Sequence, residues 1–208
     1  MAYIPIFYEI KDRICLVVGG GTVAYRKIRA LLDFEAKVVC VAEQVCEDVL
    51  RLSEVQESGR LDLICKSYEP ADCDGKALVI AATDDVQLNH RIAEYCKDRG
   101  ILVNAVDQKE DCSFIFPAYV REQNVIAAFS SSGNSPVIAQ YLKEQERDIL
   151  TPLLAELNEC MGEWRPQIQA AYRTMEERKR AYQRILRMTL DSGRIPGEDE
   201  IKAILEGE

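Results

Sequence analysis

Five short apolar runs rich in branched residues recur along the first hundred positions: Ile14–Val18, Lys37–Val41, Leu61–Lys66, Ala77–Ala81 and Ile101–Val106. Runs of this length that lack polar alternation match strands buried on both faces. Between them lie Val23–Asp33, Cys46–Ser58 and Val86–Arg99, where apolar residues recur at helical spacing. Strand–helix alternation of this kind predicts right-handed crossovers and a doubly wound α/β fold with a parallel sheet.

After Asp107 the pattern changes. Phe114–Val120 and Val125–Ser130 flank the polar link Arg121-Glu122-Gln123-Asn124, which predicts an antiparallel hairpin. The polar stretch Ser130–Pro136 follows and carries a helix start. Ser135 is placed to cap free amides, and Pro136 suits the first helical position because it has no donor there. The helix is expected from about Val137 toward Ile149. From Thr151 onward the chain reads as helical, with Ile168, Tyr172, Met175, Tyr182 and Leu186 as an approximate apolar stripe. Ile195-Pro196-Gly197 breaks the pattern before a last short helix. The division expected is 1–113, 114–150 and 151–208.

The turn Gly19-Gly20-Gly21-Thr22-Val23-Ala24 fits G-x-G-x-x-A, with an apolar strand entering it and a helix leaving it. Gly19 permits a tight bend, Gly21 lets backbone approach a pyrophosphate, and Ala24 keeps helix and strand close. The free amides and dipole of the helix start favour phosphate. In that context the motif is a Rossmann dinucleotide fingerprint. Glu43, just past the second strand, stands where an acid accepts hydrogen bonds from ribose hydroxyls. With no arginine in that loop to take a 2′-phosphate, NAD is favoured over NADP. Thr83 and Asp84 follow the fourth strand, at the edge where cofactor and substrate should meet. Arg26 and Lys27 are placed either to reach phosphates or to be surface cations.

The formal net charge of -9 sets the whole surface against nucleic acid and anionic lipid. Any anionic ligand must then be held by local cations or backbone amides. Between Arg165 and Arg187 stand seven Lys/Arg and two Asp/Glu, either a solvated helical face or a group that helps hold an anion. Eight cysteines occur without a C-x-x-C pair, with Cys15, Cys40 and Cys65 inside apolar runs. They read as small core residues of a reduced, cytoplasmic protein. Neither a secretory leader, nor a membrane span, nor a metal-ligand pattern is expected.

Several segments together resemble the precorrin-2 dehydrogenase / sirohydrochlorin ferrochelatase family, the dehydrogenase module of siroheme synthases. They are Val17–Lys27, Ala81–Asp85 with Asn89, Val103–Asp107, Cys112–Ala118 and Ser130–Pro136. The set covers roughly residues 1 to 150, in the family's order; beyond that the likeness is only in being helical. The family often has a second glycine or a threonine where this chain has Ser132 and Asn134. The resemblance implies oxidation of precorrin-2 to sirohydrochlorin with NAD as hydride acceptor, in siroheme or cobalamin biosynthesis. It also implies a Rossmann domain, a dimerisation region over 114–150, a helical end and an intertwined homodimer. Some members go on to insert Fe²⁺, or Co²⁺, into sirohydrochlorin.

By the same resemblance Asp107 is the essential aspartate. As it closes the fifth strand, its carboxylate is placed to take the proton that the macrocycle sheds after losing hydride. Asn104 falls with the cofactor-binding segments, and Ser130, Ser131, Ser132 and Asn134 with the loop that faces the tetrapyrrole. His90, the one histidine, is expected at the surface or cofactor edge rather than as an acid. The rival reading from another class is a non-catalytic NAD-sensing Rossmann module. It accounts for the glycine turn but not for the Asp107 segment or the serine loop.

Overall fold

The computed structural model describes residues 3–55 and 59–206. Positions 56–58 of the expected second helix, and residues 1–2 and 207–208 of the outer regions, lie outside them. The chain divides into two compact units, Met1–Phe116 and Pro117–Glu208.

The first unit runs β1 (Ile14–Val18), α1 (Thr22–Asp33), β2 (Lys37–Ala42), α2 (Glu47–Val55), β3 (Leu61–Cys65), β4 (Leu78–Ala81), α3 (Val86–Asp98) and β5 (Leu102–Ala105). All four strand pairings are parallel, in the order β3-β2-β1-β4-β5. This is the expected Rossmann-like sheet. The central strand β1 is buried on both faces, as its unbroken apolar run requires. Cys15 and Val17 pack toward Ala24, Ile28 and Leu31 of α1, whereas Leu16 and Val18 pack toward Ile92, Ala93 and Cys96 of α3. The chain leaves β1 toward β2 on one side and reaches β4 on the other. The carboxyl ends of β1 and β4 therefore flank the switch point where such sheets hold ligands.

Two expectations need correction in this unit. Cys65 is exposed rather than buried, because β3 is an edge strand and Cys65 closes it. All eight cysteines are free thiols. The strand expected from Phe114 begins only at Ala118, because Phe114 and Phe116 pack onto the α1 side of the sheet.

The second unit holds an antiparallel hairpin, β6 (Ala118–Glu122) and β7 (Val125–Phe129), closed by Gln123-Asn124 with Gln123 at φ 50°. Helices α4 (Pro136–Arg147), α5 (Pro152–Glu163), α6 (Arg165–Ala171), α7 (Met175–Ser192) and α8 (Glu198–Glu206) complete it. The last four enclose a core of Leu157, Ile168, Ala181, Ile185, Ile201 and Ile204. The Tyr172 hydroxyl ties it by donating to the Ile204 carbonyl at 2.7 Å. The buried stripe of α7 is Ala181, Ile185 and Thr189, not Met175 and Leu186. Met175 is the first residue of that helix and is 79% exposed. Thr174 and Glu177 start α7 with a reciprocal capping box.

Ile185 is wholly buried at the centre of this helical core. Ile185→Ala should destabilise the protein by about 2–5 kcal/mol, seen as a lower urea midpoint; an unchanged midpoint would refute that assignment.

Candidate functional site

The glycine turn is shaped by its neighbours. Gly19 sits at φ +114°, and a Cβ there would lie 2.2 Å from the Ala82 carbonyl oxygen beyond β4. A Cβ on Gly20 would lie 2.2 Å from the Gln44 carbonyl oxygen beyond β2. Backbone bonds hold both residues, Gly19 N–H to Val41 O at 2.9 Å and Cys46 N–H to Gly20 O at 2.7 Å. Gly21 differs, since nothing lies within 4 Å of its notional Cβ. It precedes α1 without a side-chain cap, and no acid stands in the first turn. The amides of Thr22, Val23 and Ala24 thus begin a helix with no partner inside it. The Ala24 methyl is buried against β1, which brings helix and strand together. A bare, uncapped helix start beside an open Gly21 fits a pyrophosphate.

The rim of the edge is also ordered. Glu43 stands exposed immediately after β2, and the Ser67 hydroxyl, beyond β3, donates to its carboxylate. Sequence reading missed Ser67, which nothing in the linear pattern pairs with Glu43. Lys66 beside it is engaged by Glu69 at 3.1 Å and Asp72 at 2.7 Å. Thr83 is held by Asn89: its hydroxyl donates to Asn89 Oδ1 at 2.7 Å, and Asn89 Nδ2 donates to the Thr83 carbonyl at 2.9 Å. Asp84 is exposed, and Asp85 caps α3 by accepting from Gln87 N and Leu88 N. Asn104 faces the segment after β5 and donates to the Phe114 carbonyl at 3.1 Å. Its amide thereby fixes the chain that returns from Asp107.

Asp107 lies two residues past β5, exposed, in the left-handed region at φ 59°. Aspartate tolerates that conformation better than most residues, and such positions cluster at functional sites. The turn that holds it is cross-braced. Gln108 Nε2 donates to the Val86 carbonyl and to Asp111 Oδ2, both at 3.1 Å, and Asp111 Oδ1 meets His90 Nδ1 at 2.8 Å. His90 thus braces the turn at the edge through Asp111. The Cys112 thiol donates to the Ala105 carbonyl at 3.2 Å. Lys27, from α1, places its ammonium 4.1 Å from the centre of the Phe116 ring. Burial lowers its pKa, Arg26 lowers it further, and Cys112 and Asp107 act in the opposite sense.

In the second unit the serine loop is folded on itself. The Ser131 hydroxyl donates to the Ser135 carbonyl at 2.7 Å and accepts from Ser135 N at 3.0 Å. Ser130 Oγ accepts from Ser132 N at 3.1 Å, and Ser132 and Gly133 both have positive φ. The expected Ser135 cap is absent: its side chain makes no bond to the start of α4, although Pro136 does begin that helix. The reason is local, since Ser135 is held through its backbone by Ser131. Ser130, Ser132 and Asn134 are exposed.

The basic stretch divides between uses. Arg178 supports the backbone by donating to Tyr172 O at 2.9 Å, and Arg180 faces Glu176 at 3.7 Å. Arg184 and Arg187 line a shallow hollow with Met188, Asp191 and Ser192. Among the described residues no group of three or more His, Cys, Asp or Glu is gathered as a metal site. No helix among them is long and apolar enough to cross a membrane.

The three glycines should separate in a mutational test. Gly21→Ala should leave the melting temperature unchanged yet weaken NADH binding about tenfold or more, roughly 1.4 kcal/mol. Gly19→Ala, which drives a methyl into Ala82, should lower the melting temperature as well. Fluorescence titration and thermal melts would check both, and equal behaviour of the two variants would contradict the division of roles.

Residues 6–118 match the family described as "Putative NAD(P)-binding", more than half of the chain. Siroheme synthase of Sodalis glossinidius (strain morsitans) is 39% identical over 186 residues, 89% of this chain and 39% of that protein. Siroheme synthase 1 of Cronobacter sakazakii is 39% identical over 209 residues, 100% of this chain and 44% of that protein. The chain thus spans about two fifths of the length of these relatives. The solved structure "SirC, precorrin-2 dehydrogenase" has the same fold, with a TM-score of 0.73 and 21% identity over 99% of this chain and 98% of that one. The siroheme-synthase resemblance carried by the motifs is borne out by these relatives, and the chain belongs to the NAD(P)-binding family matched over residues 6–118.

Proposed function

We propose that this chain is an NAD-dependent dehydrogenase that oxidises precorrin-2 to sirohydrochlorin, acting as a cytoplasmic homodimer. The observation that carries the reading is Asp107, in a braced left-handed turn at the same sheet edge as the open Gly21 cradle. The names of the relatives, siroheme synthases and a precorrin-2 dehydrogenase, support the substrate. Bound at this edge, NAD supplies a hydride acceptor. The residues supply the rest. The first turn of α1 takes the pyrophosphate, with Gly19, Gly20 and Gly21 shaping the approach. Glu43, steadied by Ser67, accepts ribose hydroxyls and disfavours a 2′-phosphate. Thr83, Asp84 and Asn104 shape the edge on the β4–β5 side.

Loss of hydride leaves the reduced macrocycle as a cation, which becomes neutral by shedding a proton. The Asp107 carboxylate accepts that proton as general base. Ser130, Ser132 and Asn134 offer donors to the acetate and propionate arms of the substrate, while Ser131 keeps their loop in shape. Asp107→Asn should lower kcat by about 10²–10⁴-fold, measured as NADH formed from precorrin-2, with NADH binding unchanged. Near-normal turnover would remove Asp107 from the mechanism.

The second copy is argued from α4. Val137 is 74% exposed, Ile138 57%, Tyr141 62% and Leu142 41%, a contiguous apolar strip on one helix. Exposed strips of this kind mark association surfaces. Sedimentation should give twice the chain mass at micromolar concentration, and Tyr141→Glu should shift it toward one chain mass. A single chain mass for the unaltered protein would exclude the dimer.

A further inference from the structure

Lys27 is not explained by the roles assigned so far. Several cations of the first unit pair with carboxylates, as Lys11, Arg60 and Lys66 do at 2.7, 2.8 and 2.7 Å. Arg13 and Arg29 rest on tyrosine rings and Lys97 donates to the Glu110 carbonyl, all three from exposed positions. Lys27 is half-buried, yet among the described residues it has no carboxylate partner, and its ammonium rests on the Phe116 ring. A charge withdrawn from water without a counter-ion is costly. In a chain of net charge -9 a partner would be easy to provide. Asp107 acts on this ammonium only through space, which leaves a contacting anion to be supplied by a ligand.

We infer that Lys27 anchors an oxyanion of a bound ligand beside Asp107, and that this oxyanion is a carboxylate arm of the tetrapyrrole. The inference rests on the precorrin-2 reading for the identity of the ligand, not for the presence of the site. The direction of the side chain, rather than its distance, argues against the cofactor's pyrophosphate as the source, since Lys27 stands only about 4.5–7.5 Å along the helix axis from the amides of Ala24 to Thr22. Its ammonium is turned to the segment after β5, where Phe116 forms an apolar wall and Asp107 lies within electrostatic reach. An aromatic face beside a cation and a carboxylate base suits an apolar macrocycle with an acidic arm. Burial, which lowers the pKa of this ammonium, also strengthens its attraction for a bound anion.

Lys27→Met retains the stem that packs on Phe116 and deletes the charge; Lys27→Arg retains the charge. Four quantities separate the outcomes: KM for precorrin-2, Kd for sirohydrochlorin by absorbance, Kd for NADH by fluorescence, and the melting temperature. Lys27→Met should raise KM and the sirohydrochlorin Kd about tenfold or more. It should change kcat far less and leave NADH binding and melting as they are, and Lys27→Arg should recover most of the loss. Unchanged sirohydrochlorin affinity overturns the inference. A loss confined to NADH overturns the carboxylate and assigns Lys27 to phosphate. A drop in melting temperature with both affinities intact reduces the contact with Phe116 to a structural one. If the unaltered protein binds sirohydrochlorin but does not oxidise precorrin-2, the dehydrogenase reading falls and Lys27 is judged on binding alone.

Discussion

The carbonyl oxygens of Ala82 and Gln44 occupy the space that Cβ atoms on residues 19 and 20 would need, each 2.2 Å from the notional carbon. The exits of β1, β2 and β4 can converge only because these two side chains are missing. From that convergence follow the direction of α1, the exposure of its first amides, and the position of Glu43 at the rim. Gly20 receives the Cys46 amide and Gly19 gives its own to Val41, so the turn belongs to the sheet as much as to the helix.

A second constraint works from the other end of the edge. Asp107 adopts a backbone conformation that few residues tolerate, and the chain around it is tied down at several points. Asn104 and Cys112 fasten the return segment to β5, while Gln108, Asp111 and His90 fasten the turn to α3. These are polar bonds between residues whose roles are invisible singly. Together they fix the backbone that carries the Asp107 carboxylate, as its proposed role as a base requires.

What was legible in the chain follows the same physics. Strands buried on both faces leave unbroken apolar runs, so all five strands of the sheet could be read to within a residue or so. The glycine turn was legible because sterics force glycine at positions 19 and 20 and the strand and helix flank it in order. The hairpin start was not, because Phe114 and Phe116 look like strand residues wherever they pack, and only the tertiary contact with α1 decides. Cys65 misled for a related reason: an edge strand keeps its apolar run while losing a neighbour. The Ser67–Glu43 bond and the brace around Asp107 join residues from separate loops, and no local pattern encodes them. The absent Ser135 cap shows the opposite failure, a local rule not followed at a residue whose own backbone is held by Ser131.

Because Gly19 and Gly20 are locked by their own sheet, the phosphate turn has its working shape before any dinucleotide arrives. Little conformational entropy remains to be lost there on binding, and most of the interaction free energy can appear as affinity. On the proposed dehydrogenase reading, the same rigidity lets oxidised and reduced cofactor exchange without remodelling the edge that holds Asp107. A preformed cradle of this sort suits an enzyme that must release its dinucleotide after every cycle.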